Sequence, residues 1–140
     1  MPYCQVSEDV ALYYEDIGDG PPIVFVHGFG TSHSVWENQV LELSKSFRCI
    51  TLDLRGHGAS DKPADGYTIE QNAKDVYKLI KSLDLNKPIY VGWSLGVAIA
   101  IQFAELYSNV LSKAVLVGGT PCWGRLADFE YGHNQSDIDS

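Results

Sequence analysis

Long apolar runs, clustered cysteines and an excess of basic residues are all missing from this sequence. No stretch of the 140 residues is apolar for long enough to span a bilayer. Residues 1–15 have neither the basic start nor the unbroken apolar core of a secretory signal. Three widely spaced cysteines fit reduced thiols and offer neither a metal-ligand spacing nor a disulfide framework: Cys4, Cys49 and Cys122. We therefore expect a cytoplasmic protein with no membrane partner.

Basic residues are too few for a nucleic-acid-binding protein. Ten Lys and Arg stand against 18 Asp and Glu, a formal net charge of −8, which disfavours nucleic acid and anionic lipid as partners. Lys74, Lys78 and Lys81 recur at helical spacing, but such a stripe is more commonly a solvated helix face than a binding surface. The length and the ordinary apolar content predict a single domain over 1–140.

Short apolar runs alternate with amphipathic segments from residue 23 to residue 117. Four runs are predicted strands: 23–26, 49–52, 88–91 and 113–117. Residues 5–17 are β-prone around a polar break, which predicts a hairpin at a sheet edge. Strand–helix alternation with short joins requires right-handed crossovers. The predicted fold class is therefore α/β, with a mostly parallel sheet and helices on both faces.

Two of the predicted helices begin with capping patterns. Ser34 and Glu37 fit a capping box, and Thr68 fits an N-cap. The first helix is expected to bury a stripe formed by Trp36, Val40, Leu43 and Phe47. The second is expected to bury Ile69, Ala73, Val76, Ile80 and Leu83. The helix over 97–107 is apolar nearly all round, so both of its sides should be covered.

The pentapeptide Gly92-Trp93-Ser94-Leu95-Gly96 lies between a predicted strand and this apolar helix. A G-x-S-x-G sequence at a strand-to-helix turn is typical of a nucleophile elbow, where the serine is strained and its hydroxyl projects from the sheet. The helix N-terminus directs unpaired N–H groups at a ligand on Ser94, so the Leu95 N–H is a candidate oxyanion donor. The alternative is an ordinary tight turn in which Ser94 only caps the helix.

Three segments together resemble the N-terminal signatures of α/β-hydrolase fold enzymes. They are His27-Gly28-Phe29-Gly30, residues 53–60 and the Ser94 pentapeptide, and each follows a predicted strand. The resemblance runs from about residue 10 to residue 123. Trp93, together with residues 120–123, is also similar to carboxylesterases that act on pimeloyl carrier-protein methyl esters.

The resemblance implies a serine hydrolase of the carboxylesterase type, with Ser94 as nucleophile and a small-molecule ester or acyl substrate. It implies oxyanion donors at the Phe29 and Leu95 N–H groups, and it implies no cofactor and no metal. The supporting residues that it implies are His27, Gly28, Gly92, Trp93 and Gly96.

The catalytic base for Ser94 is not evident in the sequence. In this family the acid and then the histidine follow the serine, each after a further strand. No further strand is predicted after Val117, so we expect the fold to stop before the lid and the last two strands, with a polar tail over 118–140. His133 follows Ser94, and Asp128 or Glu130 would give the right order, but nothing rigid would hold them about Ser94.

Other histidines and aspartates near the motifs have structural interpretations. His27 is expected to fix the shape of its glycine loop, and His57 to be structural or solvated. His33 is expected to be exposed to solvent. Asp53 and Asp61 are expected to cap loops.

Two further functional classes compete with the hydrolase. One is a truncated, non-catalytic binding module that retains the pocket floor. The other, a nucleotide-binding domain, is disfavoured because residues 27–30 match neither G-x-G-x-x-G nor G-x-x-x-x-G-K-[ST]. In either remaining class, the apolar run 113–117 has only Lys113 at its start and Pro121 beyond its end to protect it as an edge strand, so we expect self-association through it.

Overall fold

The computed structural model describes residues 2–118 of the protein. Its strands are β1 (Tyr3–Ser7), β2 (Val10–Ile17), β3 (Pro22–Val26), β4 (Arg48–Leu52), β5 (Ile89–Trp93) and β6 (Lys113–Val117). Its α-helices are α1 (Glu37–Leu43), α2 (Ile69–Ser82) and α3 (Leu95–Leu106), and a 3₁₀ turn over His33–Trp36 precedes α1. Over this range, the helices fall short of the length and apolar content that a membrane crossing requires.

The six strands form one sheet in the order β1-β2-β4-β3-β5-β6. β1 and β2 are the predicted hairpin, and β2 pairs antiparallel with β4. The pairs β4–β3, β3–β5 and β5–β6 are all parallel, which confirms the mostly parallel sheet. The carboxyl ends of β3, β4 and β5 therefore lie at one edge of the sheet, where open α/β folds bind their ligands.

Strand β3 contributes side chains to both faces of the sheet. Val24 and Val26 belong to the larger apolar cluster, which includes residues of α2 and α3. Ile23 and Phe25 belong to a second cluster with Trp36, on the face that α1 covers. Alternate burial on two faces explains why this short run is apolar throughout. It also confirms the prediction of helices on both faces.

The start of the first helix differs from the sequence prediction. The capping box at Ser34 and Glu37 is wrong: the Ser32 hydroxyl is the cap and accepts from the Ser34 N–H, while the Glu37 N–H binds the Ser34 carbonyl. The cause is the 3₁₀ turn, because Asp53 binds the backbone N–H of His33 and fixes the chain before α1 begins. The helix ends at Leu43, so the predicted stripe is interrupted and Phe47 packs against its cluster from beyond the helix.

Helix α2 begins as predicted, with the Thr68 hydroxyl accepting from the Gln71 N–H at 3.0 Å. Ala73, Val76 and Ile80 are fully buried, whereas Ile69 and Leu83 pack at the margin of the core. The predicted lysine stripe is exposed: Lys74, Lys78 and Lys81.

Helix α2 also buries a carboxylate that the apolar pattern did not reveal. Asp75 binds the Arg55 guanidinium through Nε–Oδ2 at 2.7 Å and Nη2–Oδ1 at 3.0 Å, and both side chains are buried. This pair attaches the loop after β4 to α2.

Candidate active site

Ser94 lies in a strained turn between the end of β5 and the start of α3. Its φ of 58° and ψ of −111° are unusual for a residue with a side chain, and such strain is concentrated at functional sites. Ser94 occupies the N-cap position of α3, yet its side chain makes no capping hydrogen bond. The alternative that this serine only caps the helix is therefore not supported, and its hydroxyl is available for other contacts.

The glycines on either side of Ser94 are required by close packing. A Cβ on Gly96 would collide with the carbonyl oxygen of Val26 on β3. A Cβ on Gly92 would lie 2.7 Å from the Tyr90 ring and 2.8 Å from the Gly96 carbonyl oxygen. These contacts allow α3 to begin directly against β3 and β5, as a nucleophile elbow requires.

Tyr90 stabilises the same turn, a role that the sequence prediction missed. Its hydroxyl donates to the Gly96 carbonyl oxygen at 2.7 Å inside the core. Burial raises the pKa of Tyr90 well above its ordinary value, so the hydroxyl keeps the proton that it donates. The sequence did contain a signal for this role. Tyr90 has a hydroxyl group within an otherwise apolar strand, and a buried hydroxyl requires a hydrogen-bond partner.

The loop after β3 passes directly beside Ser94. A Cβ on Gly28 would lie 3.0 Å from the Ser94 Cβ and 3.0 Å from the Trp93 ring, so only glycine fits there without displacing a neighbour. Phe29 follows and is 80% exposed. β3 and β5 are adjacent and parallel, which brings the Phe29 loop and the first residue of α3, Leu95, to the same end of the sheet.

His27 is buried and hydrogen-bonded through both ring nitrogens. Its Nε2 accepts the Leu54 N–H at 3.0 Å, so Nδ1 carries the proton and donates to the Gly28 carbonyl oxygen at 2.7 Å. Burial lowers the pKa of His27 to about 4, so the ring is neutral near pH 7. Both nitrogens are occupied, which gives His27 a loop-holding role and leaves none free to act as a base.

His57, in the loop after β4, also holds the loop after β3. Its Nε2 accepts the Gly30 N–H at 3.1 Å, and its Nδ1 lies 3.0 Å from the Arg55 carbonyl oxygen. The ring packs against His27 and Phe29, with centroid separations of 5.0 and 5.6 Å. His57 is therefore a structural link between the loops after β3 and β4.

The prediction that His33 is exposed to solvent is wrong. Its Nδ1 lies 2.7 Å from Asp53 Oδ1, its Nε2 lies 3.4 Å from Glu15 Oε2, and its side chain is 23% exposed. The 3₁₀ turn causes this placement, because the His33 N–H also binds Asp53 Oδ1, at 2.7 Å.

Asp53 caps backbone N–H groups of the loops, as predicted, whereas Asp61 instead binds a strand. Burial alone would raise the pKa of Asp53, but hydrogen bonds from the Ala59 N–H and from His33 lower it overall, so the carboxylate is ionised. Asp61 accepts the Ala11 N–H at 2.8 Å and joins its loop to β2.

The base for Ser94 is not found within residues 2–118. The histidines of this range, His27, His33 and His57, all bind other partners. The substitute triad of His133 with Asp128 or Glu130 lies outside the described residues, as does the predicted tail from residue 119 onward. Over the same described range, no three metal-ligating side chains gather into a site.

Comparisons with known proteins agree with this geometry. Residues 21–138 match the family model described as alpha/beta hydrolase fold. The AB hydrolase superfamily protein YisY of Bacillus subtilis is 39% identical over 140 residues, covering 98% of this chain and 52% of that protein. A putative non-heme chloroperoxidase of Synechocystis is 40% identical over 127 residues, covering 86% of this chain and 46% of that protein.

Among solved structures, the esterase EaEST from Exiguobacterium antarcticum superposes with a TM-score of 0.81 at 33% identity, covering 85% of this chain and 45% of that one. The chain thus spans about half the length of the relatives it matches. The matched range includes the β3 loop, the β4 loop and the Ser94 turn. By sequence and by fold, this chain belongs to the α/β-hydrolase fold family.

Proposed function

We propose that this chain carries the nucleophile and the oxyanion donors of a serine hydrolase acting on carboxylic esters. The observation that carries the proposal is Ser94, which lies in a strained turn at the N-terminus of a 12-residue helix and whose hydroxyl makes no capping hydrogen bond. Its position beside Gly28 supports an attacking group next to the loop that holds the Phe29 N–H. The esterase among its structural relatives supports an ester as the substrate class.

The proposed reaction is acyl transfer in two steps. Ser94 Oγ attacks the ester carbonyl carbon while a base takes its proton, and the carbonyl oxygen becomes negatively charged in the tetrahedral intermediate. The Phe29 and Leu95 N–H groups donate to that oxygen, and each such donor contributes about 10²–10³ in turnover. The alcohol leaves with a proton, and water then hydrolyses the acyl-Ser94 ester to release the acid.

The base in this reaction is a histidine other than His27, His33 and His57. Loss of the triad histidine costs about 10⁶ in turnover. The occupied ring nitrogens of these three residues therefore also favour a second function for the chain by itself, a binding module that retains the pocket floor without turnover.

The wide spacing of the cysteines supports a reducing compartment such as the cytoplasm for either function.

Fluorophosphonate labelling tests the nucleophile. Wild-type protein should be labelled slowly on Ser94, because the oxyanion donors stabilise the adduct even without a base. Ser94→Ala should remove the label, whereas Ser108→Ala, which deletes an exposed hydroxyl after α3, should label like wild type. Equal labelling of all three proteins would contradict the proposal. Repeated turnover of a p-nitrophenyl ester would identify a hydrolase, whereas binding of the ester without release of p-nitrophenol would identify the binding module.

A further inference from the structure

The Phe29 N–H shares one peptide group with the Gly28 carbonyl. A trans peptide is planar, so its C=O and N–H point in opposite directions. Whatever holds the Gly28 oxygen therefore also sets the direction of the Phe29 N–H. Gly28 itself lies against Ser94, so a small rotation of this peptide would change the position of the donor relative to a ligand on Ser94.

Three donors converge on the Gly28 carbonyl oxygen. His27 Nδ1 lies at 2.7 Å, Thr31 Oγ1 at 2.7 Å and the Thr31 N–H at 3.2 Å. Thr31 Oγ1 also lies 3.3 Å from His27 Nδ1, so the donors form one local network. The Thr31 N–H closes the turn, and the two side-chain donors are additional to it. The additional side-chain donors restrict the peptide to one orientation and polarise it, which strengthens its own N–H as a donor.

We propose that Thr31 is a positioning residue for the oxyanion loop: its hydroxyl holds the Gly28 carbonyl so that the Phe29 N–H points at the oxygen of a substrate on Ser94. This inference rests on the proposed function. Thr31 has no part in the chemistry itself and acts only through the Gly28–Phe29 peptide. Its side chain is half-buried beside the loop, so the hydroxyl can be removed without opening the core.

Two substitutions at this position form a matched pair. Thr31→Val replaces the hydroxyl by a methyl group of similar volume and keeps the backbone N–H, whereas Thr31→Ser keeps the hydroxyl and removes the methyl group. Loss of a whole oxyanion donor costs about 10²–10³ in rate. Because His27 and the Thr31 N–H still hold the carbonyl in Thr31→Val, we expect about a 10-fold fall in the maximal labelling rate kinact. The reagent concentration for half-maximal rate, KI, should not change.

The test measures kinact and KI for fluorophosphonate labelling of Ser94 in the full chain. Thr31→Ser should restore the wild-type kinact, and Ser34→Ala, which removes an exposed hydroxyl from the same connection, should leave it unchanged. If Thr31→Val does not fold, Thr31→Ala replaces it. The Gly28 carbonyl ¹³C and Phe29 amide resonances should shift in the variants that lack the hydroxyl, with the urea midpoint recorded for each.

The outcomes separate this inference from the proposed function. Wild-type labelling that depends on Ser94, with kinact unchanged in the variants that lack the hydroxyl, would overturn the role of Thr31 alone. A fall in kinact that Thr31→Ser does not restore would also overturn it, since the hydroxyl would not be the cause. Absence of Ser94-dependent labelling in the wild type would overturn the proposed function, and the positioning role would be rejected with it.

Discussion

His27 should make the stability of this fold depend on pH. Burial lowers the pKa of His27 from 6.5 to about 4. A protonated ring cannot accept the Leu54 N–H, so protonation also breaks the bond between the loops after β3 and β4. Between these two pKa values the unfolded chain binds more protons than the native state does. The free energy of unfolding must therefore fall as the pH falls through this window.

Proton linkage gives the size of the effect. For a group with these two pKa values, the free energy of unfolding falls by about 2 kcal/mol between about pH 7.5 and about pH 5, and by about 3 kcal/mol once His27 is protonated in both states. This is a large part of the stability of an ordinary domain, about 5–15 kcal/mol. Asp53 acts in a different window, because its lowered pKa removes stability only as the pH falls below about 3.8.

The assay compares wild type with His27→Gln by urea unfolding at the two pH values. The glutamine amide oxygen can accept the Leu54 N–H but does not titrate, so the variant should lose about 2 kcal/mol less than wild type on acidification. All other ionisable groups are present in both proteins, so the difference between the two pH dependences isolates the effect of residue 27. An identical loss in the two proteins would refute the assignment of the effect to His27.

Three further changes test the turn, the β4 loop and the sheet edge. Gly96→Val should lower the free energy of unfolding by about 1–3 kcal/mol because its side chain meets the Val26 carbonyl, and an unchanged urea midpoint would contradict a strained turn. Asp75→Ala should cost about 3–5 kcal/mol by leaving Arg55 buried without its partner, whereas Glu70→Gln, at an exposed pair, should leave the midpoint unchanged. Val115→Lys should reduce self-association through β6 in sedimentation experiments. A wild-type monomer whose β6 amides are protected from exchange would contradict that last expectation.

The strands and the serine turn could be predicted because their signals are local. A wholly apolar run between turn residues indicates a strand buried on both faces, and β3 and β4 match that pattern. The elbow was predictable because G-x-S-x-G followed such a run and preceded an apolar helix. In both cases, the residues that indicate the structure are neighbours in the sequence.

The contacts around the loops could not be predicted in the same way. The Arg55–Asp75 pair joins residues 20 positions apart in the sequence, and the Asp53–His33 pair joins residues equally far apart. Periodicity along one helix or strand contains no information about such partners. The capping box at Ser34 failed for this reason, since a distant carboxylate determines where the turn before α1 begins.

The His33–Asp53 pair has one feature of a catalytic dyad, a carboxylate at Nδ1 that fixes the orientation of the imidazole ring. A base for Ser94 must also direct its Nε2 at the serine, and here that nitrogen lies 3.4 Å from Glu15 on β2. In the sheet order, β4 and β3 separate β2 from β5, so Glu15 on β2 is three strand spacings, about 14 Å, from the strand that leads to Ser94. The ring is therefore fixed toward the hairpin side of the sheet. His27 and His57 are also fixed, by two hydrogen bonds each, so within residues 2–118 the proposed reaction has no histidine free to take the proton of Ser94.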